Sequence, residues 1–337
     1  AGLETNPLED GSLDDYTLMA MDITKLTMES VKAFGLGNKE AHRCKNMWAL
    51  GLTVWTFGQD RAPIVAWLEQ KFASDEAVCK ANIAALNAGH VYGEAAEASG
   101  DAKQYHVGTM DAEPGLYRTV NGAQALAWGL VAGSQLADLP MIFSSYPITP
   151  ASPLLHQLSQ MKEFGVLTFQ AEDEIAAACA ALGTSFAGSL GVTSSSGPGI
   201  ALKGETIGLA ISAELPMVIV NAQRGGPSTG LPTKTEQSDL YQAVYGRNGD
   251  APIPVVATRS PGDCFEAAIE AVRLALKYMT PVMLLTDGYI MNASEPWKLP
   301  DVTSYDPILH RLNDTPRGDD DAPYNPFERD PETLARS

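Results

Sequence analysis

Four short apolar runs in this chain each open with proline: Pro140-Met141-Ile142-Phe143, Pro216-Met217-Val218-Ile219-Val220, Pro254-Val255-Val256 and Pro281-Val282-Met283-Leu284-Leu285. Proline can begin a strand because no ladder hydrogen bond need form there. Residues 166–170 and 190–194 read as two further strands. Helical patterns over 122–138, 151–163, 172–187, 199–213, 236–245 and 261–278 alternate with them. The last opens Ser260-Pro261-Gly262-Asp263, a capping-box spacing, and carries Phe265, Ala268, Ile269, Val272 and Leu276 on one stripe. Runs that are apolar at every position have no face for water. They predict a doubly wound α/β fold whose mainly parallel sheet is covered on both sides. In such sheets ligands bind beyond the carboxyl ends of the strands.

The residues after the strands therefore bear most on function. Ser145-Tyr146-Pro147-Ile148-Thr149-Pro150-Ala151-Ser152 holds the Thr149 hydroxyl on a turn stiffened by two prolines. Gln170-Ala171-Glu172-Asp173-Glu174 places three acids at a helix start, where they either offset the helix dipole or face a ligand. Thr193-Ser194-Ser195-Ser196-Gly197-Pro198-Gly199 is either a tight turn or a loop that lets backbone approach a ligand. It is no P-loop, although Lys203 follows. In the loop 221–235, Arg224 offers a fork matching a carboxylate, beside Ser228, Thr229, Thr233, Lys234 and Thr235. A solvated surface loop is the alternative.

Elsewhere the chain says less. Residues 1–15 are acidic, 45–57 are strongly apolar, and 63–72 and 75–90 read as amphipathic helices. Residues 97–120 read as a linker, and the Pro- and Asp-rich stretch 296–337 as an irregular tail. The expected domains are a partial helix-rich region over 1–96 and the α/β domain over 121–295. Both ends are expected to be cuts through a longer polypeptide, with a further domain missing after the tail. A net charge of −18 disfavours nucleic acid, and no apolar run is long enough to span a bilayer. Cys44, Cys79, Cys179 and Cys264 are dispersed without a C-x-x-C, which excludes a local zinc or iron–sulfur motif and fits buried thiols in the cytoplasm. His42, His90, His156 and His310 lack ligand spacing and read as core or surface imidazoles. The acidic run 319–321 reads as a solvated loop.

Taken together and in this order, Tyr146–Ser152, Gln170–Ile175, Ser194–Ile200 and Gln223–Thr235 resemble the α subunit of 2-oxoacid:ferredoxin oxidoreductases, most of all the 2-oxoglutarate type. Residues 40–96 resemble the end of that family's γ domain, fused ahead of the α part. The resemblance implies the pyrimidine-binding type of thiamine-diphosphate fold. It puts Glu172 at the aminopyrimidine ring as the catalytic residue, and Arg224 and Thr149 at the substrate, with Thr229 and Thr233 finishing that pocket. Ser196, Gly197 and Gly199 are expected at the cofactor. It also implies CoA as acyl acceptor, ferredoxin as electron acceptor, and reversible oxidative decarboxylation. The family's G-D-G motif for diphosphate and Mg2+ is unmatched by Thr286-Asp287-Gly288 or Gly318-Asp319-Asp320. Mg2+ and the iron–sulfur cluster are therefore expected on a β subunit, in a dimer of αβ units. Two other readings stay open: a subunit of another thiamine-diphosphate 2-oxoacid dehydrogenase, and a non-catalytic anion-binding scaffold.

Overall fold

A computed structural model describes residues 5–16, 18–100 and 102–310, with positions 327, 329, 331, 332 and 334. The chain divides into two compact units, Ala1–Glu113 and Pro114–Ser337.

The first unit is helical: α1 (Ile23–Val31), α2 (Asn38–Arg43), α3 (Lys45–Thr56), α4 (Ala62–Lys71) and α5 (Glu76–Ser99). Val31, Cys44, Trp48, Ala81 and Ala85 form its core. Helix α5 runs past the pattern read at 75–90 because Ala95, Ala96 and Ala98 are strong helix formers, and it stops where Gly100 takes φ +84°. Glycine lets α3 and α5 touch backbone to backbone. A Cβ on Gly51 would stand 1.9 Å from the Leu86 carbonyl oxygen, and one on Gly89 would stand 1.9 Å from that of Trp48. Gly89→Ala must push the helices apart, and is expected to destabilise the unit by about 1–3 kcal/mol. Gly108→Ala, where nothing lies within 4 Å, should be near neutral. Equal urea midpoints for the two variants would contradict this packing.

The second unit comprises β1 (Tyr117–Asn121), α6 (Gly122–Leu136), β2 (Met141–Ser145), α7 (Ser152–Leu158), β3 (Val166–Gln170), α8 (Glu174–Phe186), β4 (Leu190–Ser195), α9 (Gly197–Leu202), α10 (Gly204–Ser212), β5 (Met217–Gln223), α11 (Leu240–Tyr245), β6 (Val255–Ala257), α12 (Asp263–Tyr278), β7 (Pro281–Asp287), α13 (Gly288–Asn292) and β8 (Ser294–Lys298). Six strands form one parallel sheet in the order β3-β2-β4-β5-β7-β6. Alternate residues of one strand serve opposite faces. Val218, Val220, Val282 and Leu284 pack with α6, α7 and α12, while Met217, Ile219, Met283 and Leu285 pack with α8, α10 and α11. The doubly wound α/β architecture is therefore the one expected.

Several local readings are corrected. Strands β1 and β8 lie at the end of the supposed linker and the start of the supposed tail, paired antiparallel from Tyr117↔Lys298 to Asn121↔Ser294. The helix read at 151–163 ends at Leu158, that read at 172–187 starts at Glu174, and that read at 236–245 starts at Leu240. The pattern at 199–213 is two helices that break at Lys203. The capping box at 260–263 forms in part: the Asp263 amide donates to the Ser260 hydroxyl at 3.4 Å, but α12 starts at Asp263 and the Asp263 carboxylate accepts from the Arg259 amide at 3.0 Å. Glu295 of β8 completes the cap, accepting from the Ser260 hydroxyl at 2.7 Å and the Gly262 amide at 2.5 Å. Cys44 and Cys264 are buried as expected, but Cys179 is exposed. The run 319–321 lies outside the described residues. Among the described residues no helix is long and apolar enough to cross a membrane.

Candidate active site

Strands β3, β2, β4 and β5 are consecutive neighbours, and each ends in one of the four motifs singled out above. Because the strands are parallel, all four motifs meet on one edge. The chain passes from β2 outward to β3 and then returns to β4 on the other side of β2, which makes β2/β4 a topological switch point. Glu172 lies three strand spacings from Arg224, roughly 14 Å along the edge.

The three acids divide their roles. Asp173 caps α8, its carboxylate accepting from the Ala176 amide at 2.8 Å. Glu174 lies in the first turn, within electrostatic reach of Tyr146 and Lys203. Glu172 is exposed, and its carboxyl has no hydrogen-bond partner among the described residues. Helix-dipole compensation accounts for Asp173 and leaves Glu172 free.

Arg224 is only 7% exposed. Its guanidinium donates to the Thr149 carbonyl at 2.7 Å and to the Thr229 carbonyl at 3.0 Å, so it ties the turn after β2 to the loop after β5. Its Nε is buried without a partner. Arg224, Gly197, Pro227, Ser228 and Asp239 line a cavity of about 450 Å3. Thr149 and Thr229 thus meet Arg224 through backbone, while their side chains and that of Thr233 face solvent. Glu172, Thr233, Ser196 and Gly199 do not line this cavity.

At the end of β4 the serines interlock. Ser194 Oγ lies 2.9 Å from Ser145 Oγ, and Ser195 Oγ lies 3.2 Å from the Tyr146 hydroxyl. Gly199 makes room for the second pair: a Cβ there would sit 2.0 Å from Ser195 Oγ and 2.7 Å from the Tyr146 oxygen. Its smallness therefore has a cause within the protein. Burial pushes the Tyr146 phenol up. Ser196 is fully buried with its hydroxyl unpartnered. Ser144 Oγ, Asn221 Oδ1 and Thr286 Oγ1 are also buried without partners, all at carboxyl ends of central strands. Leaving such an atom unpaired costs about 1–3 kcal/mol. Their gathering at one edge marks it as the place for an outside ligand. Ser196 and Gly197 are well placed to meet a cofactor there.

Sequence patterns give Asn221, Asp239 and Lys203 no role. Asn221 Nδ2 donates to Asp239 at 3.0 Å, and the Asp239 carboxylate occupies the space a Gly197 Cβ would need. No local signal marks Asp239, which comes to the site from the far end of the loop after β5. Asp287 caps α13 and accepts from Gln237 at 2.6 Å, so Thr286-Asp287-Gly288 has a structural use. His90 pairs with Glu94 at 3.2 Å, and His156 is exposed. Among the described residues no group of three or more His, Cys, Asp or Glu side chains could hold a metal ion.

Comparison with known proteins adds a family. The family model described as pyruvate flavodoxin/ferredoxin oxidoreductase, thiamine diP-bdg, matches residues 135–333, and that described as pyruvate ferredoxin/flavodoxin oxidoreductase matches residues 4–92. The 2-oxoglutarate oxidoreductase subunit KorA of Mycobacterium tuberculosis is 52% identical over 335 residues, covering 99% of this chain and 50% of the relative. The 2-oxoglutarate synthase subunit KorA of Archaeoglobus fulgidus is 41% identical over 176 residues, 51% of each chain. A solved structure, the 2-oxoglutarate:ferredoxin oxidoreductase from Magnetococcus marinus with 2-oxoglutarate, coenzyme A and succinyl-CoA bound, superposes with a TM-score of 0.78 at 31% identity. That match covers 92% of this chain and 51% of the other. The chain spans about half the length of the curated relatives it matches.

Proposed function

The chain belongs to the pyruvate flavodoxin/ferredoxin oxidoreductase family, and from that premise we propose that it is the α-type part of a 2-oxoglutarate:ferredoxin oxidoreductase. The reaction is CoA-dependent oxidative decarboxylation, reversible, with electrons passed to ferredoxin. One observation carries the reading: four chemically distinct motifs end four adjacent parallel strands, where buried polar atoms lack protein partners.

Thiamine diphosphate fits that edge and, when bound, supplies the electron sink for loss of carbon dioxide from a 2-oxoacid. Glu172 offers a carboxyl free of other bonds to a ring nitrogen of the aminopyrimidine, and there holds or releases a proton. Ser196 and Gly197 approach the cofactor, with Gly199 shaping the turn beneath them. Arg224 spends two of its five N–H donors on holding the two loops in register and keeps the others, the unpartnered Nε among them, for the substrate carboxylate. The hydroxyls of Thr149, Thr229 and Thr233 finish the pocket by accepting or donating to the keto acid.

A β subunit supplies diphosphate binding, Mg2+ and the iron–sulfur cluster in this reading, because the chain has no matching G-D-G segment. The assembly is a dimer of αβ units in the cytoplasm. The γ-like region is 1–96, and the pyrimidine-binding domain is 121–295 widened by the paired strands β1 and β8 to 117–298. The test is ferredoxin reduction by the α–β complex with CoA and a series of 2-oxoacids. 2-Oxoglutarate should exceed pyruvate and branched-chain acids by at least about tenfold in kcat/KM, the scale of one lost charged contact. Equal rates across the series would overturn the substrate, and no reduction with any acid would overturn the reaction.

A further inference from the structure

We propose that Lys203 is a positioning residue for this site, a buried cation that fixes the β4 tip and, through it, the turn carrying Thr149. The inference rests on the function proposed above.

Lys203 is completely buried at the break between α9 and α10. Its Nζ donates to Thr193 Oγ1 at 2.7 Å and to the Ser194 carbonyl at 3.1 Å. No carboxylate among the described residues lies in ion-pair range of it, and Glu174 of α8 is the charge that reaches it through space. From that ammonium a chain of bonds runs outward. The Ser194 carbonyl also accepts from Ser145 Oγ at 3.3 Å, Ser145 Oγ meets Ser194 Oγ and reaches the Tyr146 carbonyl at 3.4 Å, and the Tyr146 hydroxyl meets Ser195 Oγ. The next residue is Ser196, whose buried hydroxyl has no partner. One lysine therefore underpins both sides of the switch point.

Energetics argue that this is no stability device. A buried ammonium without a counterion is costly, and Lys203→Met removes that cost while the Ser194 carbonyl keeps its bond from Ser145 Oγ and only Thr193 Oγ1 loses its partner. Burial pulls the Lys203 pKa down to about 7, against an ordinary value of 10.5. Below 7 both folded and unfolded chains carry the proton and the full cost of burying it is present. As pH rises toward 10.5, the folded chain is already neutral while the unfolded chain still binds the proton, so stability rises across that window. The protein thus keeps a cation whose burial works against its stability at and below neutral pH.

The experiment compares wild type and Lys203→Met in the assembled complex. Expected are a Tm equal to or above wild type, a stability advantage that is largest below pH 7 and shrinks toward 10.5, and a kcat lowered at least tenfold. Thiamine diphosphate affinity, read by calorimetry, should weaken alongside. Unchanged kcat would overturn the proposal. So would a loss of activity that tracks a lowered Tm or failure to assemble, since that marks a brace and nothing more. If wild type fails to turn over any 2-oxoacid, the function itself is at fault, and the Tm and pH comparison still reports on the lysine.

Discussion

Glu172→Ala in the assembled complex is expected to lower kcat by about 10²–10⁴-fold, the range that one positioned proton-transfer group contributes. The thermal midpoint should stay at the wild-type value, because Glu172 is exposed and its carboxyl has no partner among the described residues. Glu172→Gln, which keeps the shape and loses the exchangeable charge, should fall nearly as far. Asp173→Ala gives the contrast. It removes the side chain that caps α8, so it should cost about 1 kcal/mol of stability and leave kcat close to wild type. A Glu172→Ala enzyme with near-normal kcat would remove Glu172 from the chemistry. A reversed pattern, with Asp173 needed for turnover, would mean that the register of the motif is wrong by one residue.

Arg224→Ala should strike twice. The guanidinium spends two donors on the carbonyls of Thr149 and Thr229, and hydrogen bonds from charged groups are worth about 1.5–3 kcal/mol each. Losing both is expected to destabilise the α/β unit by about 3 kcal/mol, since the two loops lose their tie and the cavity beneath them opens. kcat/KM for the 2-oxoacid should fall about 100-fold or more, as no guanidinium faces the substrate. Arg224→Lys separates the two effects. A single ammonium keeps the charge but cannot hold two carbonyls in a planar fork, so much of the substrate affinity should return without the stability. Chemical unfolding and steady-state kinetics on the same preparations read both quantities. If Arg224→Ala lowers stability and leaves kcat/KM untouched, Arg224 is a loop tie only.

The sheet was legible because its strands carry apolar side chains on both faces. In Met217-Val218-Ile219-Val220 each residue is fully buried whichever way it points, and only a two-sided cover explains that. Strands β1 and β8 were not legible, for the opposite reason. Tyr117-Arg118-Thr119-Val120-Asn121 has one fully buried residue, and Ser294–Lys298 contains Pro296. Each becomes a strand only through its partner, with Arg118 opposite Trp297 and Val120 opposite Glu295. The share of the α12 cap that Glu295 supplies is equally non-local, which is why the spacing at 260–263 shows only part of it.

The site was legible as motifs and not as contacts. Strand order turns four separated segments into neighbours, and that order is a property of crossovers, not of any one segment. Arg224 looked like a free fork because nothing near it in sequence competes for its donors, yet its firmest partner is a carbonyl 75 residues upstream. Gly199 looked like a ligand approach, and the Tyr146–Ser195 pair fills its space. Lys203 read only as a lysine following a loop that is no P-loop, and it is completely buried.

The most direct measurement is the position of thiamine diphosphate bound to the complete α–β assembly, seen by crystallography or cryo-electron microscopy. The aminopyrimidine should lie at the carboxyl edge of β3, β2 and β4 with a ring nitrogen in hydrogen-bond reach of the Glu172 carboxyl. Cofactor density elsewhere, or at that edge with the Glu172 carboxyl turned away from the ring, would contradict the account.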